Sequence, residues 1–174
     1  QEALLLDNIH KSTSKVALET PFEGTLACFD TGQTGLYVLK SDGKLAKLNP
    51  KCELEPLGWP PQLPDHSKIR LFRVYDGKTI CIATEDKKLL FLDLVNRRLV
   101  RVSLPFRPEF LRFDPQGEVV VVVDGRLHGV FQTNGKPVHR GKGVCAIDRT
   151  GRFMLCWAGT LNLYSVNPFY KVRS

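Results

Sequence analysis

Residues 71–94 read LFRVYDGKTICIATEDKKLLFLDL, and this stretch shows the architecture of the chain most clearly. An apolar segment precedes the acidic turn at Asp76, a second begins at Thr79, and a third follows a polar turn at residues 85–88. On both sides of the second turn, apolar residues alternate with small or polar ones, which is the period-2 pattern of a half-covered β-hairpin. We therefore predict three consecutive antiparallel strands.

The same layout of three apolar strands and two turns occurs three more times, beginning at Leu26, Leu111 and Cys145. The first turn of each copy contains an aspartate, and the intervals between these aspartates are 46, 38 and 34 residues. Such intervals bracket the ~40–45 residues of a four-stranded propeller blade. The four aspartates are Asp30, Asp76, Asp114 and Asp148.

A second match extends the repeat toward the start of the chain. Residues 21–30 (PFEGTLACFD) and 105–114 (PFRPEFLRFD) share Pro-Phe and Phe-Asp without gaps, and upstream of them residues 3–22 resemble 89–106. We therefore interpret residues 1–22 as the outer strands of a preceding blade. Within the same single domain, further blades are predicted at residues 23–66, 67–106, 107–142 and 143–174.

Strands are favoured over helices along the whole chain. Residues 117–125 (GEVVVVVDG) contain five valines between turn residues, and β-branched side chains favour a buried strand. No segment of the sequence combines apolar residues at helical spacing with residues that would cap a helix at its ends, so we expect almost no helix. Residues 49–68 contain five prolines, each without a backbone donor, which predicts a long loop between blades.

Residues 75–100, YDGKTICIATEDKKLLFLDLVNRRLV, resemble the central hairpin and following strand of a WD-repeat β-propeller blade. The family's Gly-His dipeptide is absent, and its closing Trp-Asp is replaced by Leu92-Asp93 in one blade and lost in the others. The resemblance implies an all-β, propeller-like fold of about four to four and a half blades, each an antiparallel four-stranded sheet. It also implies a rigid platform for partners, and it does not imply an enzyme.

This number of blades predicts part of a larger propeller. Each sheet must bury both faces, so an open half-ring leaves two apolar faces in water. The chain begins with Gln1 in mid-blade and lacks the features of a signal peptide, so we expect an excerpt or a processed piece. The missing blades then belong to the rest of the polypeptide or to another chain, and a closed four-bladed ring is the alternative.

No pattern typical of a catalytic, cofactor or metal site is present in the sequence. A glycine follows each repeated aspartate within three positions, so we interpret these aspartates as turn residues that accept backbone N–H groups and lie far apart. Neither the histidines nor the cysteines have zinc-site spacing, and phosphate-binding and nucleophile motifs are missing. We therefore predict no catalytic residue, no cofactor and no metal.

An enzyme site in a propeller channel completed by missing blades is the weakest alternative. The histidines are His10, His66, His128 and His139.

The cysteines predict an intracellular protein, cytoplasmic or nuclear. They are odd in number, and four of them lie in apolar runs, where a cysteine behaves as a small hydrophobe. No apolar stretch approaches the roughly 18–20 residues of a membrane-spanning helix, so no membrane partner is expected. The five are Cys28, Cys52, Cys81, Cys145 and Cys156.

The net charge of +7 indicates anionic partners, because a basic field raises the rate of encounter with them. Our leading hypothesis is a non-enzymatic protein–protein interaction scaffold in a multi-subunit complex. Its partners would be proteins, among them an acidic surface or a chain that completes the propeller. Binding of RNA or another polyanion through basic inter-blade loops is the alternative. The predicted partner-binding residues are Trp59, Arg97, Arg98, Phe106, Arg107, Arg140 and Lys142.

Overall fold

The computed structural model describes the backbone of residues 2–7, 12–17 and 24–29, and residues 35–40, 42–51, 53–59, 63 and 68–173. These residues form eighteen β-strands and no α-helix, so the all-β prediction is confirmed for them. Strands β1 (Glu2–Asp7) and β2 (Ser12–Ala17) form a two-stranded antiparallel sheet. Among the described residues, no helix has the length and apolar character needed to cross a membrane.

The other sixteen strands form four antiparallel sheets, each a meander of four consecutive strands. Sheet 1 contains β3 (Gly24–Phe29), β4 (Leu36–Lys40), β5 (Leu45–Leu48) and β6 (Leu54–Pro56). Sheet 2 contains β7 (Ile69–Tyr75), β8 (Thr79–Thr84), β9 (Lys88–Asp93) and β10 (Arg98–Ser103). Sheet 3 contains β11 (Phe110–Phe113), β12 (Val119–Val123), β13 (Leu127–Gln132) and β14 (Pro137–Lys142). Sheet 4 contains β15 (Val144–Ile147), β16 (Phe153–Trp157), β17 (Leu161–Ser165) and β18 (Tyr170–Arg173).

Consecutive four-stranded sheets pack face to face in chain order. One core cluster joins sheets 1 and 2, a second joins sheets 2 and 3, and a third joins sheets 3 and 4. In sheets 1 to 3 the first strands of neighbouring sheets lie beside one another, since β3 contacts β7 and β7 contacts β11. The last strands β10 and β14 are sheet edges whose side chains are mostly exposed or half-buried.

The valine run of β12 is buried on both faces, as the sequence predicted. Val120 and Val122 belong to the core between sheets 2 and 3, whereas Val119, Val121 and Val123 belong to the core between sheets 3 and 4. Full burial of one such side chain is worth roughly 1.5–3 kcal/mol. This strand therefore contributes to both interfaces of its sheet.

The hairpin of β8 and β9 differs from the prediction of one covered face. Ile80 and Ile82 pack toward sheet 1, but Cys81 and Ala83 are also fully buried, in the core shared with sheet 3. The small residues share this core with large side chains of sheet 3 such as Phe131. Sheet 2 is therefore covered on both faces, and the half-covered prediction is wrong.

The predicted loop at residues 49–68 contains a strand, β6. Pro56 pairs with Ala46 in the ladder, and β6 is the edge strand of sheet 1. A proline is tolerated at an edge, where one side of the strand has no ladder to maintain. The prediction of a continuous loop is therefore wrong for these three residues.

Two of the repeated aspartates accept backbone N–H groups, as predicted. Asp114 Oδ1 accepts the backbone N–H groups of the residues four and five positions later, at 2.8 and 2.9 Å. Asp148 Oδ1 accepts the backbone N–H group of Phe153 at 2.7 Å. Asp76 has φ +46°, and its carboxylate pairs with a lysine ammonium at 2.7 Å. Asp30 lies outside the described residues, as do His10, His66 and Cys52.

Candidate functional site

Five of the predicted partner-binding residues lie on or beside three different sheets. Trp59 follows β6 and is half-buried against the core between sheets 1 and 2. Arg97 and Arg98 are exposed at the turn into β10, and Arg140 and Lys142 are exposed on β14. They therefore occupy the outer strands and connections of sheets 1, 2 and 3.

The other two predicted residues lie in the connection between sheets 2 and 3. Phe106 is 4% exposed and belongs to the core of these sheets, so its ring packs under the connection and offers little surface to a partner. Arg107 forms an ion pair with Glu85, whose other carboxylate oxygen binds Arg70 at 2.9 Å. Sequence alone did not distinguish an exposed aromatic anchor from a packed one here.

The outer face of sheet 4 is apolar and exposed. Nine large hydrophobic side chains are exposed in the described part of the chain, and seven of them lie on this sheet. Along β16, every second side chain is exposed and those between are buried. The seven are Val144, Phe153, Leu155, Trp157, Leu161, Tyr170 and Val172.

This alternation differs from the burial of the inner sheets. In β12 both sets of alternate side chains are buried, because a sheet covers each face. In β16 the inner set, Met154 and Cys156, packs against sheet 3, whereas the outer set meets solvent. An exposed apolar surface of this extent is typical of an interaction site.

A groove of about 520 Å³ lies at one edge of this face. Trp157 and Val144 line it from sheet 4, and Leu127, Arg126 and Lys142 line it from sheet 3. Trp157 is 55% exposed, and tryptophan is among the residue types most enriched at energetically dominant interface positions. Of the seven residues predicted from sequence, Lys142 is the one that lines this groove.

A second cleft, of about 500 Å³, lies where sheets 2, 3 and 4 meet. It is lined by Arg73 of β7, Arg112 of β11 and Arg149 in the turn before β16. The Arg112 guanidinium donates to the backbone carbonyls of Asp148 and Arg149 at 3.1 and 2.7 Å and lies over the Phe110 ring. Arg73 and Arg149 are exposed, so the cleft presents cationic groups to solvent.

Two repeated aspartates, Asp76 and Asp114, also line this cleft, although we expected these residues to lie far apart. They line the same cleft because the first turns of sheets 2 and 3 lie at the same end of the stack. Asp114 is 2% exposed, and its second oxygen accepts a hydrogen bond from the Asn167 amide at 2.9 Å. Its carboxylate therefore joins sheet 3 to sheet 4.

A cluster of histidine and cysteine side chains lies between sheets 3 and 4. Cys145 of β15 and Cys156 of β16 face each other across the strand pair and form a disulfide. The Nδ1 atom of His128 on β13 lies 3.1 Å from Cys145 Sγ, and its Nε2 atom lies 3.3 Å from His139 Nε2. One potential ligand atom from each of His128, Cys145 and Cys156 lies within 4.8 Å of the others.

The pattern of the sequence did not predict this cluster. The interpretation of the cysteines as small hydrophobes is wrong for Cys145 and Cys156, so their presence no longer favours a reducing compartment. Spacing along the chain did not reveal His128 because the ligands come from two sheets. The available signal was the repeat itself, which places the two cysteines on neighbouring strands.

No protein-family model matches this chain, and no curated protein matches its sequence. The function is therefore inferred from the geometry of the sheets and their side chains.

Proposed function

We propose that this chain is a non-enzymatic protein-interaction module, a WD-repeat-like propeller segment whose exposed sheet 4 face docks a further sheet of the same kind. The observation that carries the proposal is the set of seven exposed apolar side chains on that face. Three interfaces within the described residues are already of this sheet-on-sheet type. A repeat that buries its faces against its neighbours needs a neighbour on each side.

A propeller-like arrangement accounts for the order of the strands. Each four-stranded sheet is a meander, and its first strand lies beside the first strand of the next sheet for sheets 1 to 3. Radial sheets around a shared axis have this arrangement, with first strands inside and last strands outside. The two-stranded sheet of β1 and β2 fits the outer half of one further blade.

The charge around the face indicates the chemistry of the partner. Arg126 and Lys142 flank the groove beside Trp157, and Lys171 and Arg173 are exposed on β18. A docking sheet with an apolar centre and acidic side chains at its rim would complement this surface. The basic rim would speed association, and burial of Trp157 would supply much of the affinity.

The first prediction concerns Trp157. With the photo-crosslinker p-benzoylphenylalanine at this position in the source cells, irradiation is expected to crosslink the chain to a strand-forming peptide of the partner. Val95 is the matched control site, because it is 69% exposed but lies on a turn of sheet 2. Mass spectrometry of crosslinked peptides identifies the partner segment, either in a second copy of this chain or in another polypeptide.

A charged substitution in the face then tests the identified partner. Trp157→Glu is expected to weaken binding of the partner about 30-fold, because the loss of an interface anchor that contributes ~2 kcal/mol to binding changes the affinity by this factor. Val95→Glu is expected to leave binding unchanged. Equal crosslinking at both positions, or equal binding by both glutamate variants, would contradict the proposed docking face.

The arginine-lined cleft favours a second candidate function, the binding of RNA or another polyanion. Two of its three arginines are exposed, and guanidinium groups bind phosphates through paired hydrogen bonds. Release of counterions would make such binding strongly dependent on salt.

The second prediction follows from this cleft. The affinity for labelled single-stranded RNA is measured at several salt concentrations, and log affinity is plotted against log salt concentration. In the variant with Arg73→Gln and Arg149→Gln, the magnitude of the negative slope is expected to decrease by about 1.4, or ~0.7 for each lost phosphate contact. A variant with Arg97→Gln and Arg98→Gln has the same net charge but changes the outer edge of sheet 2. If both variants alter the slope equally, or the unmodified protein fails to bind RNA at low salt, the cleft is not a polyanion site.

A further inference from the structure

The cluster of His128, Cys145 and Cys156 has the composition of a transition-metal site. The imidazole comes from sheet 3 and both sulfurs come from sheet 4, so the cluster spans the interface of two sheets. Thiolate and imidazole are the ligands that Zn²⁺ prefers in proteins. Three ligand atoms already lie within 4.8 Å of one another.

His128 is held in an orientation suitable for a ligand. Its side chain is buried, with Nδ1 toward the sulfurs and Nε2 toward His139 at 3.3 Å. His139 is itself fixed by stacking on Phe169, with ring centroids 4.4 Å apart. A metal-binding histidine usually donates its other N–H to a carboxylate, a backbone carbonyl or water, which sets its tautomer and direction, and His139 occupies that position here.

The tautomer of His128 determines which of its two ring nitrogens can bind a metal ion. In the tautomer that carries its proton on Nε2, His128 donates this N–H to His139, and the Nδ1 lone pair faces Cys145. Cys145 is partly exposed, which gives an ion access to the cluster.

We propose that the reduced cluster binds one thiophilic divalent ion such as Zn²⁺ through His128 Nδ1, Cys145 Sγ and Cys156 Sγ. The disulfide is its oxidised, metal-free form. A dithiol reductant converts the disulfide into two thiols with two electrons and two protons and becomes a disulfide itself. The bound ion then replaces both thiol protons, which pass to water, and it holds the sulfurs about 3.8 Å apart, as Zn–S bonds of about 2.3 Å require.

The two forms differ in what they connect. The disulfide joins β15 to β16, which are already paired strands of sheet 4. A metal ion would instead join sheet 4 to sheet 3 through His128. The metal therefore strengthens the attachment of the sheet that presents the exposed apolar face.

The third prediction is a cobalt titration of the intact chain, with reduced protein compared with protein whose Cys145–Cys156 disulfide is intact. The reduced form is expected to bind one Co²⁺, with thiolate charge-transfer absorption and the intense visible bands of tetrahedral cobalt, and Zn²⁺ is expected to displace it. The oxidised form is expected to give neither signal. This comparison uses one sequence and does not depend on the folding of any variant.

Substitutions then locate the site. A variant with Cys145→Ser and Cys156→Ser is expected to lose the cobalt spectrum, and one with Cys28→Ala and Cys52→Ala is expected to keep it. His139→Phe is expected to weaken binding about 10–100-fold, the usual effect of losing the group that orients a ligand. The proposal is overturned if the reduced chain fails to bind cobalt, if both redox forms bind equally, or if the double serine variant keeps the spectrum.

Discussion

Gly151→Ala is expected to lower the free energy of unfolding by about 3 kcal/mol. Gly151 has φ +79°, and a Cβ atom there would lie 2.2 Å from the backbone carbonyl oxygen of Phe113 on sheet 3. The left-handed backbone costs an alanine about 1–2 kcal/mol, and overpacking adds about 1–3 kcal/mol. Backbone on both sides of the contact leaves no flexible side chain to move, so sheets 3 and 4 would have to separate.

Gly159→Ala provides the matched control. Gly159 lies in the turn between β16 and β17 of the same sheet with φ +87°, but apart from its chain neighbours no heavy atom lies within 4 Å of the position that a Cβ would occupy. Only the cost of the left-handed backbone applies to Gly159→Ala, so we expect the free energy of unfolding to fall by about 1 kcal/mol. Urea denaturation followed by far-ultraviolet circular dichroism measures both variants. Equal losses would show that the close approach of the two sheets at this turn is not what requires glycine.

Asp114→Ala is expected to destabilise the protein by a similar amount, about 3 kcal/mol. The buried carboxylate accepts two backbone N–H groups within sheet 3 and the Asn167 amide of sheet 4. Alanine would leave the two backbone N–H groups without an acceptor and the Asn167 amide with Glu118 as its remaining acceptor, at about 1–3 kcal/mol for each unsatisfied group. Partial access of water to the turn reduces the sum.

Asp124→Ala tests whether burial and the link between sheets account for the effect. Asp124 also accepts two backbone N–H groups, at 2.8 and 2.7 Å, but it is half-buried. Water can replace the lost acceptor there, so we expect a loss of about 1 kcal/mol. If Asp114→Ala is no more harmful than Asp124→Ala in urea denaturation, the role of Asp114 as a link between sheets 3 and 4 is wrong.

Local chemistry explains the success of the predictions at the repeated turns. At Asp114 and Asp148, where the glycine follows three residues later, the same turn forms, because the carboxylate and the backbone N–H groups it accepts are close in sequence. For this reason the turns at Asp114 and Asp148 follow the prediction. The run of five valines likewise formed a strand, because its side chains favour an extended backbone.

Contacts between sheets account for the errors. The alternating pattern of β8 suggested an exposed face, but sheet 3 covers it, and no residue of the hairpin itself carries that information. The same holds for Phe106, whose burial depends on the sheets on either side of its connection. Pro56 entered a strand because β6 is an edge, and only the assembled sheet defines an edge.

The order of residues along the chain was enough to establish the repeated strands, their turns and the lack of α-helix in the described residues, because these features depend on close neighbours in sequence. The stacking of the sheets was needed to establish which faces are buried, that Arg73 and Arg149 share a cleft, and that His128 meets Cys145 and Cys156. These features join residues of different sheets, and their distances depend on how the sheets pack. The exposed face of sheet 4 is also a feature that only the stacking of the sheets establishes. The alternating pattern of β16 is the same whether or not another sheet covers its outer face, and no sheet among the described residues covers that face.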